Sequence, residues 1–244
     1  MQMFPPIKTK TCGLLILFSL TASLSTAGES KWWPEVRKID EQLRQHRWKF
    51  ALRKQVKLEE KVLDESWYGP DLHRVLAELA LFRAIADANL RRDREAIWYW
   101  HIASNLDARI RDRDLAPYGR AGKLLYEFPL RALGEVPVGF ENREPWPGHP
   151  VKPPLLPDVP MPTLLFNAAA VRDRAGDFRV EVIVDKQGRL HHPVVVSTYL
   201  HPVLNYAALR WLCDLPLAEP QRIAGEPTDT LFQVTIRFRD GKFL

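Results

Sequence analysis

Phe178, Val180, Val182 and Val184 are interleaved with Arg179, Glu181, Ile183 and Asp185. That period of two, rich in β-branched and aromatic residues, predicts a strand with one oily face. Asp185-Lys186-Gln187-Gly188 predicts a turn, with glycine free to take a positive φ. Leu190 to Ser197 reads as the returning strand of a hairpin, and Pro193, lacking an N–H, belongs at a strand start or on an edge. From Pro202 the period lengthens: Leu204, Ala208, Trp211, Leu212 and Leu215 share one face of a helix that Pro216 and Pro220 stop. After a polar loop with Gly225 and Pro227, Phe232, Val234, Ile236 and Phe238 alternate with Gln233, Thr235, Arg237 and Arg239. The order hairpin, helix, strand predicts a small sheet whose oily face one helix covers.

Upstream, Gly28 to Leu133 carries helical spacing and few strand signals. Pro34 suits a first turn, followed by Val36, Ile39, Leu43 and Phe50, with a joint expected at His46-Arg47-Trp48. Gln55 to Leu63 continues a second helix that Gly69-Pro70-Asp71 ends. Leu76, Leu79, Ala80, Phe82, Ala84 and Ile85 mark a third helix, and Arg91 to Arg94 a polar break. Ala96 to Leu106 is helical again, and Ala116-Pro117 precedes a helix from Tyr118 to Phe128. These are antiparallel pairs with short joints. The stretch Glu59-Glu60, Asp64 and Glu65, beside Lys57 and Lys61, reads as a salt-laced solvent face.

Pro129 to Pro162 is dense in proline and predicts an extended connector. The alternative is that Trp146 and Leu155-Leu156 pin it to one domain. At the N-terminus, Lys8 and Lys10 precede an apolar run, Cys12 to Leu24, and then Ser25-Thr26-Ala27. That is the form of a secretory signal peptide cut after Ala27, with an uncleaved anchor as the alternative. The resulting division is residues 1–27 signal peptide, 28–133 helical domain, 134–158 proline-rich linker and 159–244 small ββαβ domain, an α+β chain.

The later elements resemble the C-terminal domain of the TonB family over residues 159–239. The residues concerned are Pro160 and Pro162, Gly176 to Asp185 with Gly188, Ser197-Thr198, Ala207-Ala208-Leu209 with Leu212, the loop Pro220 to Gly225 with Pro227, and Ile236 with Phe238. Leu90 to Ala108 resembles the second half of a tetratricopeptide repeat, with Ala96, Trp100, Ala103 and Leu106 at its small and aromatic positions. Arg91 stands where that family usually has glycine, and Trp48 and Ala51 give a fainter echo one repeat earlier. About two helical hairpins of tetratricopeptide or Sel1-like type are expected.

The TonB resemblance implies a periplasmic protein that captures an extended peptide, such as an outer-membrane receptor segment, by strand addition, in connection with TonB-dependent transport. The edge expected to do so is the last strand, through Leu231, Gln233, Thr235, Arg237 and Arg239. Trp98, Tyr99 and Trp100 are candidates for a helical groove, with one ring exposed or buried against another segment, since consecutive helical residues point in different directions. The chain lacks the long Glu-Pro/Lys-Pro spacer of an energy-coupling TonB protein, and helices stand in its place. A cell-envelope scaffold that dimerises through the sheet edge is the alternative.

Composition narrows the rest. The 244 residues are 46% hydrophobic and 27% charged, with net charge +5 and both signs interspersed, so no nucleic-acid footprint is expected. There is no Gly-rich phosphate loop, Cys-x-x-Cys, His-Glu-x-x-His or Gly-x-Ser-x-Gly. His191 and His192, adjacent in a strand, are expected on opposite faces. No catalytic residue, metal or cofactor is assigned, and an enzyme is not expected. Cys213 reads as a small apolar residue, and membrane association is expected only if the N-terminal segment is retained.

Overall fold

A computed structural model describes residues 30–65, 71–135, 151–152, 154–157, 175–198, 201–239 and 242–243. Residues 1–29, where a signal peptide is expected, Trp146 and most of the connector lie outside the described residues. The chain is α+β: among the described residues, five α-helices precede a small antiparallel sheet with one further α-helix between its strands.

The helical part comprises α1 (Trp33–Arg44), α2 (Trp48–Glu65), α3 (Leu72–Asn89), α4 (Asp93–Leu106) and α5 (Arg120–Glu135). Both tight joints use a left-handed residue, His46 at φ 60° and Arg91 at φ 65°. Helix α3 is buried along both flanks, from Leu72 and Val75 to Ile85 and Ala88. A helix apolar on all sides belongs in the middle of a protein, and α3 packs against α1, α2, α4 and α5.

The main sheet has the order β3-β2-β6-β7, from β2 (Gly176–Val184), β3 (Leu190–Thr198), β6 (Thr230–Arg239) and β7 (Lys242–Phe243). Strand β2 is central, pairing with β6 from Gly176↔Phe238 to Val184↔Thr230. The turn after β2 depends on Gly188 twice. Its φ is +79°, and a Cβ there would stand 2.0 Å from the Ala218 carbonyl oxygen. Asp185 closes the same turn by accepting from the N–H groups of Gln187 and Arg189 at 2.9 and 2.8 Å. The expected polar loop is itself a small sheet: β4 (Gln221–Ile223) and β5 (Glu226–Thr228) flank Ala224 and Gly225, both at positive φ, and β1 (Val151–Lys152) pairs with β4. Two successive positive φ values match the twist of a tight hairpin.

Helix α6 (Pro202–Asp214) covers the inner face of the sheet, where Phe178, Val180, Val182, Val184, Ile236 and Phe238 are buried. The spacing of Leu204, Ala208, Trp211, Leu212 and Leu215 predicts one apolar face for α6. In the fold Val203, Leu204, Tyr206, Ala207, Ala208, Leu209 and Leu212 are all buried, because its other side lies against α3 and α4. The helical part and the sheet therefore share one continuous core. The connector is also tied down where it is described: Leu155 and Glu219 form a β-bridge, and Leu156 packs on the core. Of the two readings of the connector, pinning describes this end.

Candidate functional site

Strand β6 presents the expected alternation. Val234, Ile236 and Phe238 point into the core, while Leu231, Gln233, Thr235, Arg237 and Arg239 are exposed on the outer face. Period-two geometry makes both outcomes one fact, since each inward residue forces its neighbours outward. Leu231 stands opposite Ile183, giving the border a small apolar corner. Farther along, Arg237 stands opposite Asp177. A partner strand lying here would meet an apolar contact at one end and guanidinium groups at the other.

The border itself differs from the expectation at one end. Strand β6 is not the last strand, since β7 folds back and pairs Phe238↔Phe243 and Arg239↔Lys242. Among the described residues no strand pairs with the outer side of β6 between Thr230 and Arg237. Arg239 is thus placed in a covered part of the border, and Leu231, Gln233, Thr235 and Arg237 in the open part. At the opposite side of the sheet α4 packs against β3. That contact brings the His101 ring 5.7 Å from His192.

The histidine pair departs from simple alternation. Register slips between Glu181 and Ile183, and His192 takes φ 49° in the resulting bulge. A bulge adds a residue to one strand and re-aims its side chains. His191 and His192 consequently lie 6.2 Å apart, tilted by 35°, instead of on opposite faces. His191 Nε2 is 2.8 Å from Asp185 Oδ2. Burial opposes the Asp185 charge, but the Arg189 N–H and the His191 imidazole outweigh it and hold the carboxyl below its usual range. Burial, with His192 and Arg111 nearby, lowers His101 to about 4. Among the described residues no group of three or more His, Cys, Asp or Glu side chains is placed to hold a metal ion.

The aromatic triplet of α4 does not form a surface groove. Trp98, Tyr99 and Trp100 are all buried. Trp98 donates from Nε1 to the Leu209 carbonyl oxygen of α6 at 2.8 Å. Tyr99 lies under the Arg83 guanidinium, 4.2 Å from its ring centroid. Trp100 meets Tyr126 of α5 edge-on at 6.1 Å. Three consecutive residues point three ways, and a separate element covers each.

The residues missed from sequence lie at this same junction. Glu59 of α2 is 1% exposed and not on a solvent face. It accepts from Gln55 Nε2 at 2.6 Å and from Arg210 of α6. Arg94 reaches the Cys213 carbonyl oxygen at 3.2 Å. Tyr99 and Tyr206 bring two further phenols, both held protonated far above their ordinary range by burial. The spacing Ala51, Gln55, Leu58, Val62 marks an inward stripe on which Gln55 and Glu59 both fall. That stripe was the available signal, hidden by the charge of the neighbouring residues.

No protein-family model, curated protein or solved structure matches the chain. Among the described residues no helix is long and apolar enough to cross a membrane. The functional reading therefore rests on the geometry of the β6 border and its mounting.

Proposed function

We propose that the protein is a periplasmic TonB-like adaptor that binds an extended peptide, such as a segment of an outer-membrane receptor, by strand addition to β6. The observation that carries this reading is that, among the described residues, no strand covers the β6 border from Thr230 to Arg237, while the other side of that stretch is paired to β2. Unpaired N–H and C=O groups on such a border supply affinity to an incoming strand, and the side chains on alternate positions supply selectivity. Leu231 and Ile183 suit an apolar residue of the guest, and Arg237 suits an acidic one. The helices hold this border at a fixed orientation through α6.

The test is a photo-crosslinking residue placed at Gln233 in living cells. The reading expects a crosslink to a different envelope protein, lost on Thr235→Pro and weakened by Arg237→Glu. The second variant leaves the backbone of β6 able to pair, so it separates loss of recognition from loss of fold. Crosslinks solely between two copies of the chain would instead favour an envelope scaffold that dimerises through this border.

A further inference from the structure

Helices α1 and α2 form a hairpin, and a groove of about 290 Å³ runs between them. Its floor is Ile39 and Leu58, both buried. Lys38 rises from α1, and Lys54, Lys57 and Lys61 rise from α2. Residues at i, i+3 and i+7 share one helical face, so these three lysines form a row about 10 Å long at 1.5 Å rise per residue. The one acid in the lining is Glu35.

Four lysines and one carboxylate line the groove, so its charge is net positive. Arg44 is paired with Asp40, Arg74 with Asp71, Arg113 with Glu78, Arg120 with Asp93 and Arg210 with Glu59. Among the described residues, none of the four groove lysines forms an ion pair. Lys54 instead lies over an aromatic face, its Nζ 4.7 Å from the Phe50 ring centroid. Like charges gathered around one depression repel each other and focus a positive potential there, which a bound anion relieves.

We propose that the α1–α2 groove docks an acidic peptide segment of a partner protein. The recessed shape favours a narrow chain gripped from two sides over a flat lipid surface. Carboxylates on alternate residues of an extended peptide recur every ~6.7 Å, close to the ~6 Å rise between Lys57 and Lys61. The lysine stems give the peptide an apolar wall while their ammonium groups stay hydrated at the rim. This surface uses none of the residues of the β6 border and stands independently of the function proposed for it.

The experiment measures fluorescence anisotropy of a labelled hexaglutamate peptide titrated with the purified protein. Saturable binding that weakens with salt is expected, with Lys38→Glu/Lys57→Glu lowering affinity by about tenfold or more. Lys123→Glu/Lys186→Glu carries the same change in net charge away from the groove and should leave binding unaltered. Lys38→Gln/Lys57→Gln, which adds no negative charge, guards against loss of fold and should weaken binding in the same direction. Equal losses in the groove and control variants would overturn the proposal by reducing the effect to net charge. So would absence of saturable peptide binding, including the case in which phosphatidylglycerol vesicles bind and the peptide does not.

Discussion

The two sides of the C-terminal unit meet opposite fates. On its inner side, α6 is locked to the helices by a half-buried Arg210 on buried Glu59 and by Trp98 on the Leu209 carbonyl. On its outer side, β6 carries a row of exposed side chains and a backbone border that, among the described residues, is paired only at its far end. Polar groups occur in both places, but their worth differs. In the junction an unmatched group would bear its full desolvation cost, whereas on the border water is an acceptable partner. Rigid mounting and an exposed border are thus divided between two faces of one small unit.

The sharpest way to break this contrast is Arg210→Ala. It leaves the Glu59 carboxylate, 1% exposed, without its cation. A loss of about 3–5 kcal/mol in urea unfolding is expected. Loss below about 1 kcal/mol would show that the junction is not the lock described. Gly188→Ala comes next. It forces a left-handed conformation on alanine and sets its Cβ 2.0 Å from the Ala218 carbonyl oxygen. About 3 kcal/mol should be lost, read as a lowered melting temperature.

Acidification should weaken the α4–β3 contact, with an effect of about 3 kcal/mol at most. His101 is lowered to about 4 in the fold, chiefly by burial, with His192 and Arg111 adding to the effect. An unfolded histidine titrates near its ordinary value of about 6.5. Above that pH neither state binds the proton. Between about 6.5 and 4 the unfolded state takes it first, so stability falls as pH falls, and the loss levels off below about 4. Unfolding curves over this range should flatten in His101→Gln. The smallest effect belongs to the border: Arg237→Ser should change stability by no more than about 0.5 kcal/mol. A larger cost in denaturant titrations would mean that Arg237 serves the fold.

The sheet was largely legible because a period of two needs no tertiary information. Phe178 to Val184 and Phe232 to Phe238 declare their inward residues by alternation, and Asp185 to Gly188 declares its turn. The bulge at His192 was not legible, since nothing local to His191-His192-Pro193 announces the extra residue. Glu59 was misread for a related reason. A carboxylate among lysines resembles surface, and its burial becomes tolerable through Gln55 and an arginine 151 positions later in the chain. The aromatic triplet left its partners open, and three different elements supplied them.

By itself the sequence determined the local periods: which stretches are helix or strand, and which side chains of β6 face outward. Tertiary structure decided what each buried face packs against. It placed α6 between the sheet and α3–α4, turned the rings of α4 inward, and capped one end of β6 with β7. Local spacing follows from backbone geometry, which every residue carries. The matching of Arg210 to Glu59, or of Trp98 to the Leu209 carbonyl, depends on contacts between distant segments that only a folded chain brings together.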